Sequence, residues 1–164
     1  MRVFLLGGAG LVGQSVAERL AKNAAVSEIT IAGRNSDKAN QAASGIGEKA
    51  NSMKADATDE KQIARLVHDY DIFVNTSGPD YLVQPHTVNA ALRAGVHYCD
   101  VSCDGPAAEK VLKRVLPFDA RAGARLEPAT IPIISFTWTP HSLQLQSGSC
   151  QLSCPHLCPT VRDC

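Results

Sequence analysis

Gly8, Gly10 and Gly13 stand at the spacing GxGxxG, beside a fourth glycine, Gly7, and directly after the apolar run of residues 3–6. Such a cluster strips side chains from a stretch of main chain and opens it to a charged group. Where a helix begins at that point, its first N–H groups lack helical partners and its dipole turns a positive end outward. Phosphate is then held without any basic side chain. In this arrangement Gly8 makes the tight turn, Gly10 lets a pyrophosphate reach the backbone, and Gly13 brings the helix close to its neighbours. Gly8, Gly10, Leu11, Val12 and Gly13 are the expected pyrophosphate contacts of a dinucleotide.

The end of the next apolar segment decides which dinucleotide. A ribose with free hydroxyls is met by Asp or Glu roughly 20 residues past the glycines, and that acid would repel a 2′-phosphate. Here the chain reads Ala32, Gly33, Arg34, Asn35, Ser36. With no acid present and a guanidinium able to grip phosphate through two parallel hydrogen bonds, NADP fits better than NAD. Arg34 and Asn35 are its expected contacts. A solvated turn arginine is the plainer alternative. Thr76, Ser77, Gly78 and Pro79, behind Asn75, offer hydroxyls and open backbone to ribose and nicotinamide, unless they form a plain turn. Asp56 and Ala57 are candidates for the adenine edge, although Asp56 serves equally well to turn or cap the chain.

These loops meet only if the intervening elements deliver each to one edge of a sheet. From residue 1 to about 134, short apolar or β-branched runs alternate with helix-like segments. That is the pattern of an α/β fold, a doubly wound parallel sheet with helices on both faces. Expected strands cover residues 2–6, 28–32, 52–55, 71–75, 96–101 and 131–134, the last confined to an edge or an end by Pro132. One expected helix carries Val12, Val16 and Leu20; a second starts near Ser36; a third sets Ile63, Leu66 and Val67 on one face. A fourth runs from Pro85 as first residue, through Val88, Ala91 and Leu92, to a left-handed stop at Gly95. A last helix carries Ala108, Val111, Leu112 and Val115. Residues 1–135 form one domain on this reading. Residues 136–164 show neither helix nor strand period and collect Ser, Gln, Pro and four of the six cysteines, the composition of an irregular tail.

The 164 residues suffice for one domain with a core, and 16 basic residues cancel 16 acidic ones. No global field draws nucleic acid or an anionic membrane, so neither is an expected partner. The first apolar run is too short for a secretion signal and no later one spans a bilayer; the expected location is cytoplasmic, with thiols reduced. Cys150, Cys154, His156, Cys158 and Cys164 have the chemistry of zinc ligands but no paired CxxC, and no metal is expected. Cys99 and Cys103 read as small packing residues.

The stretches "LLGGAGLVGQSVAERLAK", "ITIAGRNSDKA", "DIFVNTSGP" and "ALRAGVHYCDVS", taken in order, resemble the NADP-binding domain of the saccharopine dehydrogenase family over roughly the first 125 residues. The resemblance implies a Rossmann fold and hydride transfer between NADP(H) and an imine or secondary amine formed from an amino acid. The partner is then a small amino-acid-derived substrate. Position by position, it implies the glycine turn on the pyrophosphate, Arg34 on the 2′-phosphate and the loop from Asn75 to Pro79 on the nicotinamide half. It also sets Tyr98, Asp100 and Ser102 beside the reaction site, with Asp100 and Ser102 as catalytic candidates; capping of the next helix is their alternative role. The likeness fails near Glu127, before the substrate-binding domain of such enzymes, so the expectation is a truncated domain that binds NADP and turns over nothing alone. The spacing of Gly7, Gly10 and Gly13 is also similar to that of short-chain dehydrogenases and their non-enzymatic relatives. Those enzymes need Tyr and Lys four positions apart, whereas Tyr70, Tyr81 and Tyr98 are followed at that distance by Val74, Pro85 and Ser102. A non-enzymatic NADP sensor or regulator is therefore the alternative function. The oligomeric state, a homo-oligomer included, stays open.

Overall fold

Beyond Arg2, every side chain of β1 (Arg2–Leu6) is buried, and the pleat sends them alternately to two cores. Val3 and Leu5 pack with Ile29, Ile31 and Ala17; Phe4 and Leu6 pack with Ile63, Phe73 and Tyr98. A strand buried on both faces marks a parallel sheet covered by helices on each side. The computed structural model describes residues 1–101, together with Val111 and the pair Ile134–Ser135. Among these, β1, β2 (Glu28–Gly33), β3 (Ala50–Lys54), β4 (Ile72–Asn75), β5 (His97–Asp100) and β6 (Ile134–Ser135) form one sheet. Its order is β3-β2-β1-β4-β5-β6, and every neighbouring pair is parallel.

The order reverses at β1: the chain steps outward to β2 and β3, then returns to lay β4 on the opposite side. The carboxyl ends of β1 and β4 therefore flank the crevice in which open α/β sheets take their ligands. Among the described residues, four helices connect β1 to β5: α1 (Leu11–Ala21), α2 (Ser36–Ile46), α3 (Glu60–Val67) and α4 (Asp80–Ala94). Ala17, Ala39 and Ala43 of α1 and α2 cover one face, and Ile63, Val67, Val83 and Val88 of α3 and α4 cover the other. Edge-on ring contacts of Phe4 with Tyr70 and Phe73, and of Phe73 with Tyr98, run across the second core.

Several elements depart from the expectations. Helix α1 buries Gly13 and Ala17, whereas Val12 is exposed, because a stripe of small residues lets the helix lie close to the sheet and Val12 falls off that stripe. Helix α4 begins at Asp80 with Pro79 as its N-cap, so Pro85 lies inside the helix and is buried. The missing Pro85 N–H forgoes one bond to the Tyr81 carbonyl, and burial of Val83, Thr87 and Val88 on the same helix offsets that loss. Gly95 ends the helix at φ 68°, the left-handed stop the pattern requires. Strand β3 begins at Ala50 rather than Ser52, and β6 forms the sheet edge at Ile134 and Ser135. Val111 is helical and buried. Its expected helix neighbours Ala108, Leu112 and Val115 lie outside the described residues, as do Ser102, Cys103 and the whole of residues 136–164 with their cysteines. No helix among the described residues is long and apolar enough to cross a membrane.

Candidate functional site

The glycine turn is built on the Gly7 main chain. Its N–H donates to Ala32 O at 2.8 Å, and its carbonyl accepts from Gly10 N at 2.9 Å. Gly7 has φ 79°, and a Cβ there would sit 2.6 Å from Ser77 N. The tight turn thus belongs to Gly7, one residue before the glycine expected to make it. At Gly8 a Cβ would meet Leu5 and Ile31 side chains at 3.0 Å, so that residue seats the turn on the core. Gly13 packs as closely as expected, since a Cβ would lie 2.3 Å from Gly7 O and 2.6 Å from Gly8 Cα.

Gly10 differs from the other three. Its φ of −80° and ψ of 169° suit any residue, and a Cβ there would find only Gly7 O, at 3.2 Å. It is the N-cap of α1, and no side chain caps that helix. The space a side chain would fill therefore opens at the mouth of a helix whose first N–H groups need an acceptor. Leu11 and Val12 are 89% and 51% exposed, so their side chains turn outward while their amides belong to that first turn. The arrangement is a cradle for an anion.

At the end of β2, Arg34 is exposed, and among the described residues it forms no ion pair. Asn35 caps α2, its Oδ1 accepting from Lys38 N at 3.0 Å, so its carboxamide oxygen is already engaged. Lys38 is not among the residues expected from the sequence. It lines, with Gly8 and Ala9, a cavity of about 480 Å³ between α1 and α2; the signal for it was a second cation one helical turn past Arg34. Asp56 turns the chain: its Oδ1 accepts from Thr58 N at 2.9 Å and Thr58 Oγ1 at 2.8 Å. Those two bonds hold its carboxyl below the usual range, and the nearby Arg34 charge adds a smaller pull. The Ala57 side chain packs into the core under α3 and α4, leaving its main chain as the group that can face a ligand.

At the end of β4, Thr76 donates through both N and Oγ1 to Leu6 O, at 2.8 and 2.9 Å, which ties this loop to the end of β1. Ser77 donates through N and Oγ to Asn75 Oδ1, at 3.0 and 2.5 Å. The Gly78–Pro79 peptide is cis, and Pro79 opens α4. Below the loop lies a buried polar cluster. Asn75 Nδ2 reaches Thr87 Oγ1 at 3.5 Å and Tyr98 Oη at 3.4 Å; Tyr98 Oη donates to Asp100 Oδ2 at 3.0 Å, and Gln84 Nε2 to the same oxygen at 2.8 Å. Burial, and then the Asp100 carboxylate, pushes the Tyr98 phenol well above its ordinary range, so it stays protonated and remains a donor. Asp100 is 2% exposed and pairs in register with Asn75. Gln84 and Thr87 were missed in the sequence, where their only signal is polarity on the inner face of an otherwise apolar helix. The structure therefore brings Asp100 to the underside of the 76–79 loop and presses that loop against Gly7. Among the described residues no group of three His, Cys, Asp or Glu side chains is placed to hold a metal.

Residues 3–127 match the family described as Saccharopine dehydrogenase NADP binding domain. Among solved structures, saccharopine dehydrogenase (L-Glu forming) from Saccharomyces cerevisiae is similar at 30% identity and a TM-score of 0.56, over 67% of this chain and 23% of that one. An NADPH-dependent quinone oxidoreductase from Escherichia coli is similar at 25% identity and a TM-score of 0.53, over 73% of this chain and 44% of that one. A short-chain dehydrogenase/reductase from Veillonella parvula, in complex with NADP, shares the fold at 17% identity and a TM-score of 0.54, covering 82% and 66% of the two chains. No curated protein matches the chain. The chain thus spans 23% of the length of the yeast enzyme.

Proposed function

From a chain that belongs to the saccharopine dehydrogenase NADP-binding domain family, we infer that Gly10 and the first amides of α1 receive the pyrophosphate of NADP(H), while Arg34 and Lys38 receive its 2′-phosphate. NADP is the coenzyme of this domain, and the residues present suit it. The observation that carries the reading is the Gly10 cradle, vacant of side chain at an uncapped helix mouth. The residues after β2 agree: a guanidinium stands at the strand end, where an acid would have excluded the extra phosphate, and Lys38 follows in α2. The 76–79 loop, packed beside Gly7 at the carboxyl end of β4, takes the nicotinamide half. Asp56 and Ala57 border the adenosine side.

When bound, the coenzyme supplies or accepts a hydride. The residues of this chain bind it at its two charged ends and fix the plane between them. The reaction in which it serves is hydride exchange with an imine or secondary amine derived from an amino acid, with Asp100 and Ser102 bordering the reacting end. In this reading, coenzyme binding is what residues 3–127 do by themselves. Turnover needs a further surface that holds the substrate over the carboxyl edge of the sheet.

Titration calorimetry with NADPH and NADH tests the coenzyme assignment. NADPH binds more tightly, and Arg34→Gln weakens it by about 10- to 100-fold, the loss of a charge-assisted hydrogen bond, while NADH affinity stays unchanged. Equal affinity of the unaltered chain for both coenzymes refutes the assignment.

A further inference from the structure

We propose that Asn75 is a positioning residue, the centre of a buried hydrogen-bonded chain from Ser77 through Tyr98 and Asp100 to Gln84 that sets the 76–79 loop for the nicotinamide half of the coenzyme. The proposal rests on the NADP(H) reading above and assigns Asp100 a supporting place beneath the loop.

Asn75 is 3% exposed at the last position of β4 and holds the loop from below. Its Oδ1 takes both donors of Ser77, at 3.0 and 2.5 Å. Its Nδ2 faces the opposite way, at 3.4–3.5 Å from the Tyr98 and Thr87 hydroxyls. The grip is therefore tight on the loop and looser on the core. Asp100 then fixes the core side, because a carboxylate accepting from Tyr98 and Gln84 ties β5 to α4 with bonds stronger than neutral pairs.

Two features separate such a device from ordinary packing. The cluster is costly to bury: Gln84 Oε1 is buried with no partner among the described residues, where an apolar side chain of the same shape would avoid that penalty. The loop it sets also packs close against the glycine turn, since Ser77 N lies 2.6 Å from where a Gly7 Cβ would stand and so fills the room of a side chain there. A shift of Ser77 opens a gap under the glycine turn or collides with it. Asparagine fits this post because it accepts on one side and donates on the other. Aspartate would turn an oxygen toward Thr87 and Tyr98, and leucine would leave both Ser77 donors without an acceptor.

The test compares two ligands on the full chain: NADPH, which spans the crevice, and 2′,5′-ADP, which ends at the adenosine half. Asn75→Leu weakens NADPH by about tenfold and leaves 2′,5′-ADP within about twofold. Tyr98→Phe, which keeps the ring and removes only the hydroxyl, weakens NADPH by about threefold with 2′,5′-ADP unchanged, and it decides the matter should Asn75→Leu not fold. Parallel weakening of both ligands, or no change in either, overturns the proposal. If the unaltered chain binds 2′,5′-ADP as tightly as NADPH, the loop contributes nothing. That result removes the nicotinamide assignment itself and the proposal with it, whereas an intact preference that Asn75→Leu leaves untouched removes the proposal alone.

Discussion

Gly10→Ala separates coenzyme binding from folding at a single methyl group. Its φ and ψ are open to alanine, and the new Cβ meets only Gly7 O, at 3.2 Å. The folding cost is then that of alanine at an N-cap, about 1 kcal/mol, which lowers the melting temperature by about 2–4 °C. The same methyl occupies the mouth of α1, where it displaces a phosphate oxygen from one or two amides. At about 1.5–3 kcal/mol for a hydrogen bond to a charged group, NADPH affinity falls by roughly 10- to 150-fold. Gly13→Ala is the contrasting variant: its Cβ would lie 2.3 Å from Gly7 O and 2.6 Å from Gly8 Cα, both main chain, so α1 must move. That displacement costs about 1–3 kcal/mol, only partly offset by the better helix propensity of alanine. Thermal melting without ligand, followed by calorimetric titration with NADPH below the melting transition, measures both quantities. A folded Gly10→Ala protein that binds NADPH within about twofold of the unaltered chain refutes the cradle.

Two further outcomes follow from the groups whose protonation the fold perturbs. Cys99 is 3% exposed, and burial, with the Asp100 carboxylate adding to it, pushes its thiol up to about 12. Iodoacetamide at pH 8 therefore modifies Cys99 only on unfolding, and labelling of the native protein at the rate of a free thiol, read by mass spectrometry, contradicts this. Glu28 is held below its ordinary 4.5 by hydrogen bonds from Arg2 and then Asn51, and Asp56 below its ordinary 3.8 by Thr58. Depressed folded values stabilise the protein above the unfolded ones, and the contribution is lost as pH falls through the folded values. The urea midpoint therefore declines below pH 4.5, and Glu28→Gln makes that decline shallower; an unchanged slope removes Glu28 from the account.

Much of the fold was legible because its signals are local. The unbroken apolar run of β1, the start of α2 at Ser36 and Gly95 after α4 are each read from residues at their own position. The start of α4 was not, because Pro85 satisfies the chemistry of a first helical residue and only its burial under the helix shows that it is internal. Strand β3 carries no apolar run, since its partly exposed residues pair with β2 at the sheet edge, so its beginning was displaced. The spacing of the glycines shows that a turn forms but not which glycine bears positive φ, because Ser77, distant in sequence, decides it. The polar cluster was hidden for the same reason. Asn75 and Asp100 look like loop-end residues until the β4–β5 register sets them side by side and α4 adds Gln84 and Thr87.

The reversal of strand order explains why these long-range contacts gather where they do. Strands β1 and β4 are neighbours although α1, β2, α2, β3 and α3 lie between them in the chain, and both loops leave the same edge. Thr76 bonds to Leu6 O and Ser77 occupies the place of a Gly7 side chain, so the two loops form one surface. Gly7 is then a glycine required by the neighbouring loop, while Gly10 is the glycine that leaves room for an anion. The four glycines of the turn thus answer to different partners: Gly7 to a loop, Gly8 to the core, Gly13 to the main chain of the turn itself and Gly10, in the reading proposed above, to a ligand. A substitution at Gly7 accordingly disturbs both halves of the crevice at once, whereas one at Gly10 costs only about 1 kcal/mol at the helix cap and, in that reading, falls on the anion, which is why the two positions cannot stand in for each other in any test of coenzyme binding.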